Sequence, residues 1–392
     1  MSAFLSDWLN LALRWAHLMV GIAWIGTSFY FIALDLALRK RPGQPEGVLG
    51  SAWEVHGGGF YNIEKYAVAP PKLPPDLKWF QWDAYLTWVT GFALLVVQYY
   101  WHASSFLIDP AVADLTPGAA ALLGAGSLAV GWIVYDRLVR TLVDSPALLA
   151  FSTFVLVLLA AWGYASLFSG RGALIHVGAF IGTLMAANVF LVIIPNQKKV
   201  VASLLKGEPP DPALGKAGKQ RSLHNNYLTL PVLLFMVSNH YPLLTGHPHL
   251  PLVVALVIVM GASVRHIVNR HEAGEPFERY AWSLPVGAMA LVTAVVITAP
   301  REPEIAGDVP EDGRVLTIAA THCVGCHAAH PKHEGFREPP KGVKLETLDE
   351  LRRHSAVVLA QAVQTQTMPL GNQTRMTPEE RAELGAWLRA QR

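Results

Sequence analysis

Long apolar runs alternate with short polar connections over the first three quarters of the chain. Eight runs reach or approach the roughly 20 residues that a membrane-spanning helix needs: 8–38, 82–102, 117–135, 147–168, 172–195, 226–240, 251–267 and 282–299. The run at 226–240 is the shortest, and polar residues crowd both of its ends. None shows the polar face at helical period that marks a helix lying in water on one side, so each is predicted to span a bilayer. The pattern stops at Ala299. The stretch PREPEIAGDVPED that follows is proline-rich and acidic and reads as a linker. Beyond it the chain turns polar enough for a small soluble domain. The predicted fold is all-α: a polytopic membrane bundle of about eight transmembrane helices in residues 1–300, a linker at 301–312 and a small domain at 313–392.

Composition agrees. The chain is 52% hydrophobic and 15% charged, whereas an average soluble domain carries about 25% charged residues. A net charge of +2 gives no reason to expect nucleic acid as a partner. Basic residues concentrate in alternate connections: Arg39, Lys40, Arg41, Lys65, Lys72 and Lys78 after the first run, Arg137 and Arg140 after the third, Lys198 to Arg221 after the fifth, Arg270 and Arg279 after the seventh. The other connections hold only Arg171. Basic loops stay on the cytoplasmic side, which puts both termini outside.

Both cysteines lie in THCVGCHAAHP, residues 321–331. Cys323-Val324-Gly325-Cys326-His327 is the C-x-x-C-H pattern of a c-type haem: each thiol adds to a haem vinyl group and the adjacent histidine ligates the iron. A second axial ligand is expected well downstream. Met368, in Thr367-Met368-Pro369-Leu370, is the candidate, and Met376 is the alternative. Thr377 followed by Pro378 predicts the capped start of a terminal helix. The order matches a small class I cytochrome c. A zinc site is the other use of such a pair, but it lacks a second pair of cysteines.

Ionisable residues inside spans are costly and are often functional. His17, His102, His176 and His240 fall in or near the outer half of their runs and are candidate ligands of a haem b, which would stand beside the tail haem. The competing reading is that each is interfacial or satisfied by a backbone carbonyl. Arg14, one turn before His17, could pair with a haem propionate or snorkel outward. On the inner side, Trp53-Glu54-Val55-His56-Gly57-Gly58-Gly59-Phe60-Tyr61 offers aromatic stacking surfaces around three glycines, which suit a ligand approach or a tight turn. Arg221-Ser222-Leu223-His224-Asn225-Asn226-Tyr227 gathers donors at the predicted start of the sixth helix, where the dipole favours an anion. Ordinary interface chemistry accounts for the same residues as belt aromatics and caps.

The motifs WEVHGGGFY (53–61), PPDLKWFQW (74–82), HNNYLTLP (224–231) and SNHYP (238–242), followed by a cytochrome c box, resemble the bacterial membrane-bound urate oxidases that end in a cytochrome c domain. The resemblance implies an inner-membrane enzyme with its cytochrome domain in the periplasm. It implies oxidation of urate to 5-hydroxyisourate, with electrons leaving through one covalent haem c to a respiratory acceptor such as a cytochrome oxidase, and no hydrogen peroxide. Urate is planar and anionic. Trp53, Phe60 and Tyr61 are the expected stacking residues, with Asn225 and Asn226 holding the ring. Lys65 would steady the anion, and His56 or His224 would accept a proton. The rival from another class is a membrane cytochrome that carries electrons from a quinol or partner protein to a periplasmic acceptor.

Overall fold

The computed structural model describes residues 3–74, 76–299, 309–333 and 336–391; residues 301–308 of the expected linker lie outside them. Helices account for every predicted apolar run: α1 (Ala3–Ala37), α2 (Trp82–Leu95, continued by a π-helical turn Val96–Tyr100), α3 (Pro117–Thr141), α4 (Pro146–Ala165), α5 (Gly170–Leu205), α6 (Pro212–Val237), α7 (Leu250–Glu272) and α8 (Ser283–Thr298). Five of them, α1, α3, α4, α5 and α7, are long and apolar enough to cross a membrane.

Local chemistry sets the boundaries. Thr116 caps α3 by accepting from the Ala119 amide, with Pro117 in the first turn, where it has no amide to lose. Ser169 caps α5 through the Gly172 amide. Asp211 caps α6 ahead of Pro212. Helix α6 therefore starts 14 residues earlier than the run at 226–240 predicts. Arg221–Tyr227 lies in its middle turns, so the anion site expected at a helix N-terminus is absent there.

Helix α5 is the hub, with two thirds of the residues of its most apolar window buried, whereas few residues of α1 are fully buried. Close packing around α5 relies on small residues. A Cβ at Gly131 of α3 would overlap the Phe180 ring, and one at Gly178 would lie 3.1 Å from Phe235 of α6.

The connection after α1 departs from the all-helical expectation. It folds as an antiparallel hairpin, β1 (Val48–His56) and β2 (Gly59–Tyr66), with Gly57 and Gly58 both at positive φ in the two-residue turn. Of the two uses that three glycines suggest, the tight turn is realised. The face that meets α1 is polar: Glu54 accepts from the Tyr30 hydroxyl at 2.7 Å and Lys65 pairs with Asp35. Trp53, Val55 and Phe60 point away and are exposed.

The tail has its own apolar core of Val315, Ile318, Leu351, Leu384, Trp387 and Leu388. Its first helix, α9 (Asp312–His322), crosses its last, α11 (Pro378–Ala390), and Trp387 donates to Asp312 at 2.7 Å. Capping boxes start α10 (Leu348–Arg353, Thr347 with Glu350) and α11 (Thr377 with Glu380); the second sits where the sequence predicts it. The tail rests on the end of the bundle opposite the hairpin. Gln373 donates to Ser105 at 2.8 Å, and Arg375 meets Asp114 at 3.2 Å. Gly371 lies close over the Ser104, Ser105 and Ile108 carbonyls.

Candidate functional site

A cavity of about 1130 Å³ opens between bundle and tail. It exceeds the roughly 300–1,000 Å³ of a single ligand pocket, and its lining falls into two parts. The bundle part lies among α1, α2, α5 and α6, with apolar walls from Leu18, Ile22, Ile25, Leu94, Val232 and Met236 and a rim of Arg14, Arg171, Gln98 and Asn239. The tail part carries Cys323, Cys326, His327, Met368 and Met376.

His17 faces the bundle part from α1. Its Nδ1 lies 3.1 Å from the Thr87 carbonyl and 3.0 Å from the Thr90 hydroxyl. A carbonyl can only accept, so Nδ1 carries the proton and Nε2 keeps its lone pair. That is how a histidine is oriented to hold a metal through Nε2. Gly91 makes room, since a Cβ there would lie 2.8 Å from the ring. His240 lines the same space. The other two candidates do not. His176 is fully buried and saturated: Nδ1 donates to the Gly172 carbonyl at 2.7 Å, and Nε2 accepts from Tyr100 at 3.1 Å. His102 is exposed and donates to the Val97 carbonyl at 3.0 Å. At the rim, the buried Tyr99 hydroxyl faces the Asn239 side chain, and the charges of Arg14 and Arg171 reach Tyr99. An apolar slot with an oriented imidazole and a basic, polar rim fits a haem better than it fits urate, whose edge is polar all round.

In the tail, His327 Nδ1 donates to the Val343 carbonyl at 2.9 Å, which leaves Nε2 as its free lone pair. Both cysteines are free thiols. Burial pushes the Cys323 thiol up to about 11, so it stays protonated at neutral pH. Met368 stands half-buried beside the apolar core, whereas Met376 is one of the core's buried members. Two thiols, an oriented imidazole and a thioether around one apolar space could hold a covalent haem.

The expected substrate residues divide into two groups. His56, Trp53, Phe60, Tyr61 and Lys65 lie on the hairpin, whose polar side chains reach α1. His224, Asn225 and Asn226 lie on α6, in a buried network with α3, α5 and α7. His224 Nδ1 is 2.7 Å from the Tyr135 hydroxyl. Asn188, in a π-helical turn of α5, donates to Tyr135 and to Asn225 Oδ1 and accepts from Arg221, which pairs with Asp136 at 2.6 Å. Asn225 also donates to the Met185 carbonyl. Asn226 Oδ1 accepts from Arg265 and Asn269, and its own amide nitrogen has no partner. The two groups are not brought together, and the second already uses most of its donors internally.

Residues 3–299 match the family model for the urate oxidase N-terminal region. The chain belongs to the urate oxidase N-terminal family. No curated protein and no solved structure matches it. The urate oxidase match spans the whole bundle and the hairpin and stops where the tail linker begins. Membership supports an oxidoreductase acting on urate. Within this urate oxidase region, sequence reasoning missed Tyr99, Asn239 and Arg171 at the cavity rim, as well as Tyr135, Asn188 and Arg265 in the polar network. For Tyr99, Tyr135, Asn188 and Arg265 the signal was present: a polar side chain inside an apolar run needs a partner.

Proposed function

We propose that the chain is a membrane enzyme that oxidises urate to 5-hydroxyisourate and delivers the electrons, through a haem b in the bundle, to a haem c in the tail and then to a respiratory acceptor. Urate loses two electrons and two protons, and water adds to the ring, so no dioxygen is consumed and no peroxide forms. Family membership supports the substrate. The observation that supports the electron route is the single cavity shared by His17 and the C-x-x-C-H residues. Haem supplies one-electron exchange at iron when bound. Cys323 and Cys326 would fasten one haem, with His327 and Met368 on its iron. His17, with His240 as the second candidate, would hold the other, and Arg14, Arg171 and Tyr99 would meet its propionates.

On the hairpin side, His56 and His224 are the candidate proton acceptors, and Tyr135 fixes the His224 ring through Nδ1. Trp53 and Phe60 offer an exposed stacking surface on one face of the hairpin, and His56 and Tyr61 are exposed on the other. Lys65, Asn225 and Asn226 serve by holding α1, α5, α6 and α7 in register, since their polar groups are largely committed. The basic connections support a cytoplasmic location for this side and a periplasmic one for the tail.

Purified full-length protein mixed with urate under anaerobic conditions tests the reading. The expected result is a reduced c-type spectrum and 5-hydroxyisourate without peroxide. A tail haem that urate leaves oxidised, but a quinol reduces, would assign the chain to the electron-carrier class. Full urate-dependent reduction in both His56→Ala and His224→Ala would remove the hairpin-side site.

A further inference from the structure

The tail buries a positive charge among neutral acceptors. Arg381, on the first turn of α11, is 5% exposed. Its Nη1 donates to the Met368 carbonyl at 2.6 Å and to the Ala362 carbonyl, and its Nη2 donates to Asn372 Oδ1 at 3.3 Å. Asn372 Oδ1 also takes the Met376 amide at 3.0 Å. No carboxylate hydrogen-bonds it, although the charges of Asp109 and Glu380 reach it; a buried arginine held only by neutral acceptors is costly and needs a reason. Two of its three acceptors, Ala362 and Met368, line the tail cavity, and the third, Asn372, sits on the turn between Met368 and Met376. The planar fork can span three acceptors at once, which a lysine ammonium on its flexible stem does not reproduce. The charge also reaches Cys323, one of the two attachment thiols.

We propose that Arg381 is a positioning residue that holds the Met368 segment against the iron and places a fixed positive charge beside the tail haem, favouring its reduced state. The inference rests on the haem c reading above. Cluster charge, hydrogen bonding and burial are the levers by which a protein sets a haem potential, and one buried cation draws electrons outward from the bundle.

The test uses the full-length holoprotein with Arg381→Gln and Arg381→Lys. Haem c content, the midpoint potential of the c haem and the far-red absorption of methionine-ligated ferric haem are measured together. Arg381→Gln is expected to shift the potential down and weaken the far-red band. Arg381→Lys is expected to keep the potential near wild type while still weakening the band. If Arg381→Gln fails to retain haem, Arg381→Lys decides on its own: a weakened band supports the proposal, and a wild-type band overturns it. Unchanged potential and band in Arg381→Gln also overturn it, leaving the haem c reading intact. Wild-type protein that carries no haem c overturns both.

Discussion

At the scale of the residue, the four bundle histidines differ by what accepts their Nδ1 proton and what is left for Nε2. His17 keeps a lone pair facing the cavity; His176 gives both nitrogens to its neighbours. His17→Ala is expected to lose the b haem and keep the c haem, as counted by a pyridine haemochrome spectrum. His176→Ala is expected to keep the b haem but to lower stability by about 1–3 kcal/mol, the cost of leaving a buried hydroxyl such as that of Tyr100 without its partner. A b haem retained by His17→Ala would remove the ligand assignment. The sequence placed all four at similar depth and could rank none above the others, because the deciding carbonyls, Thr87 and Gly172, are invisible in a side-chain pattern. The tail was more legible. Thr377-Pro378 and Glu380 spell a capping box, and one is present. Removing it in Thr377→Ala should cost about 1 kcal/mol, read from denaturant unfolding followed at the c haem. The box also has a pH signature. The Thr377 amide, with help from His322, holds the Glu380 carboxyl below its ordinary range. A lowered folded pKa contributes stability that is complete above the unfolded value and is lost as pH falls through the folded one. The tail should therefore weaken below about pH 4.5, the ordinary value, and Glu380→Gln should flatten that acid limb.

At the scale of the element, apolar length was a good guide and apolar edges were a poor one. The runs at 117–135 and 251–267 sit inside helices that continue on into polar turns, since a helix ends where its caps and packing end rather than where its greasy face ends. Asp211-Pro212 is the sort of cap that marks a helix start, and attention to it would have moved the beginning of α6 and dissolved the expected terminal anion site. The hairpin was also written in the chain: Trp53 and Val55 on one side and Phe60 on the other flank a Gly-Gly turn, a recognised hairpin signal. A search for 20-residue runs cannot see a period of two. The π-helical turns at Val96–Tyr100 and Asn188–Ile193 had no sequence mark, yet they carry Tyr99 to the cavity and Asn188 into the polar network, in line with the concentration of such turns at functional places. Packing at α3 and α5 gives the prediction for this scale. Gly131 has no space for a side chain beside Phe180, so Gly131→Ala should destabilise the bundle by about 1–3 kcal/mol through overpacking, measured as a lower thermal midpoint of the purified protein. Gly126 of the same helix has nothing within reach, and Gly126→Ala should leave that midpoint unchanged or slightly raised.

At the scale of the molecule, the question is whether the tail acts where it rests. Its polar contacts with the bundle among the described residues include a hydrogen bond from Gln373 and a solvent-facing pair at Arg375, which contribute little affinity of their own, and Gly371 and Gly246 mark where the two parts meet most closely. They matter by fixing where the C-x-x-C-H crevice faces, which is toward His17. Gly246, on the bundle, is the place to break this without touching the tail. Its backbone is in an ordinary conformation, and any Cβ there would overlap the Thr365 carbonyl. Gly246→Leu should therefore lift the tail while leaving every proposed haem ligand in place. In rapid mixing with urate, the b haem should be reduced as fast as in wild type and the c haem at least tenfold more slowly, with both haems still present in full. Equal reduction of the c haem in Gly246→Leu and wild type would mean that electrons do not need this seat, and the shared cavity would lose its standing as the route.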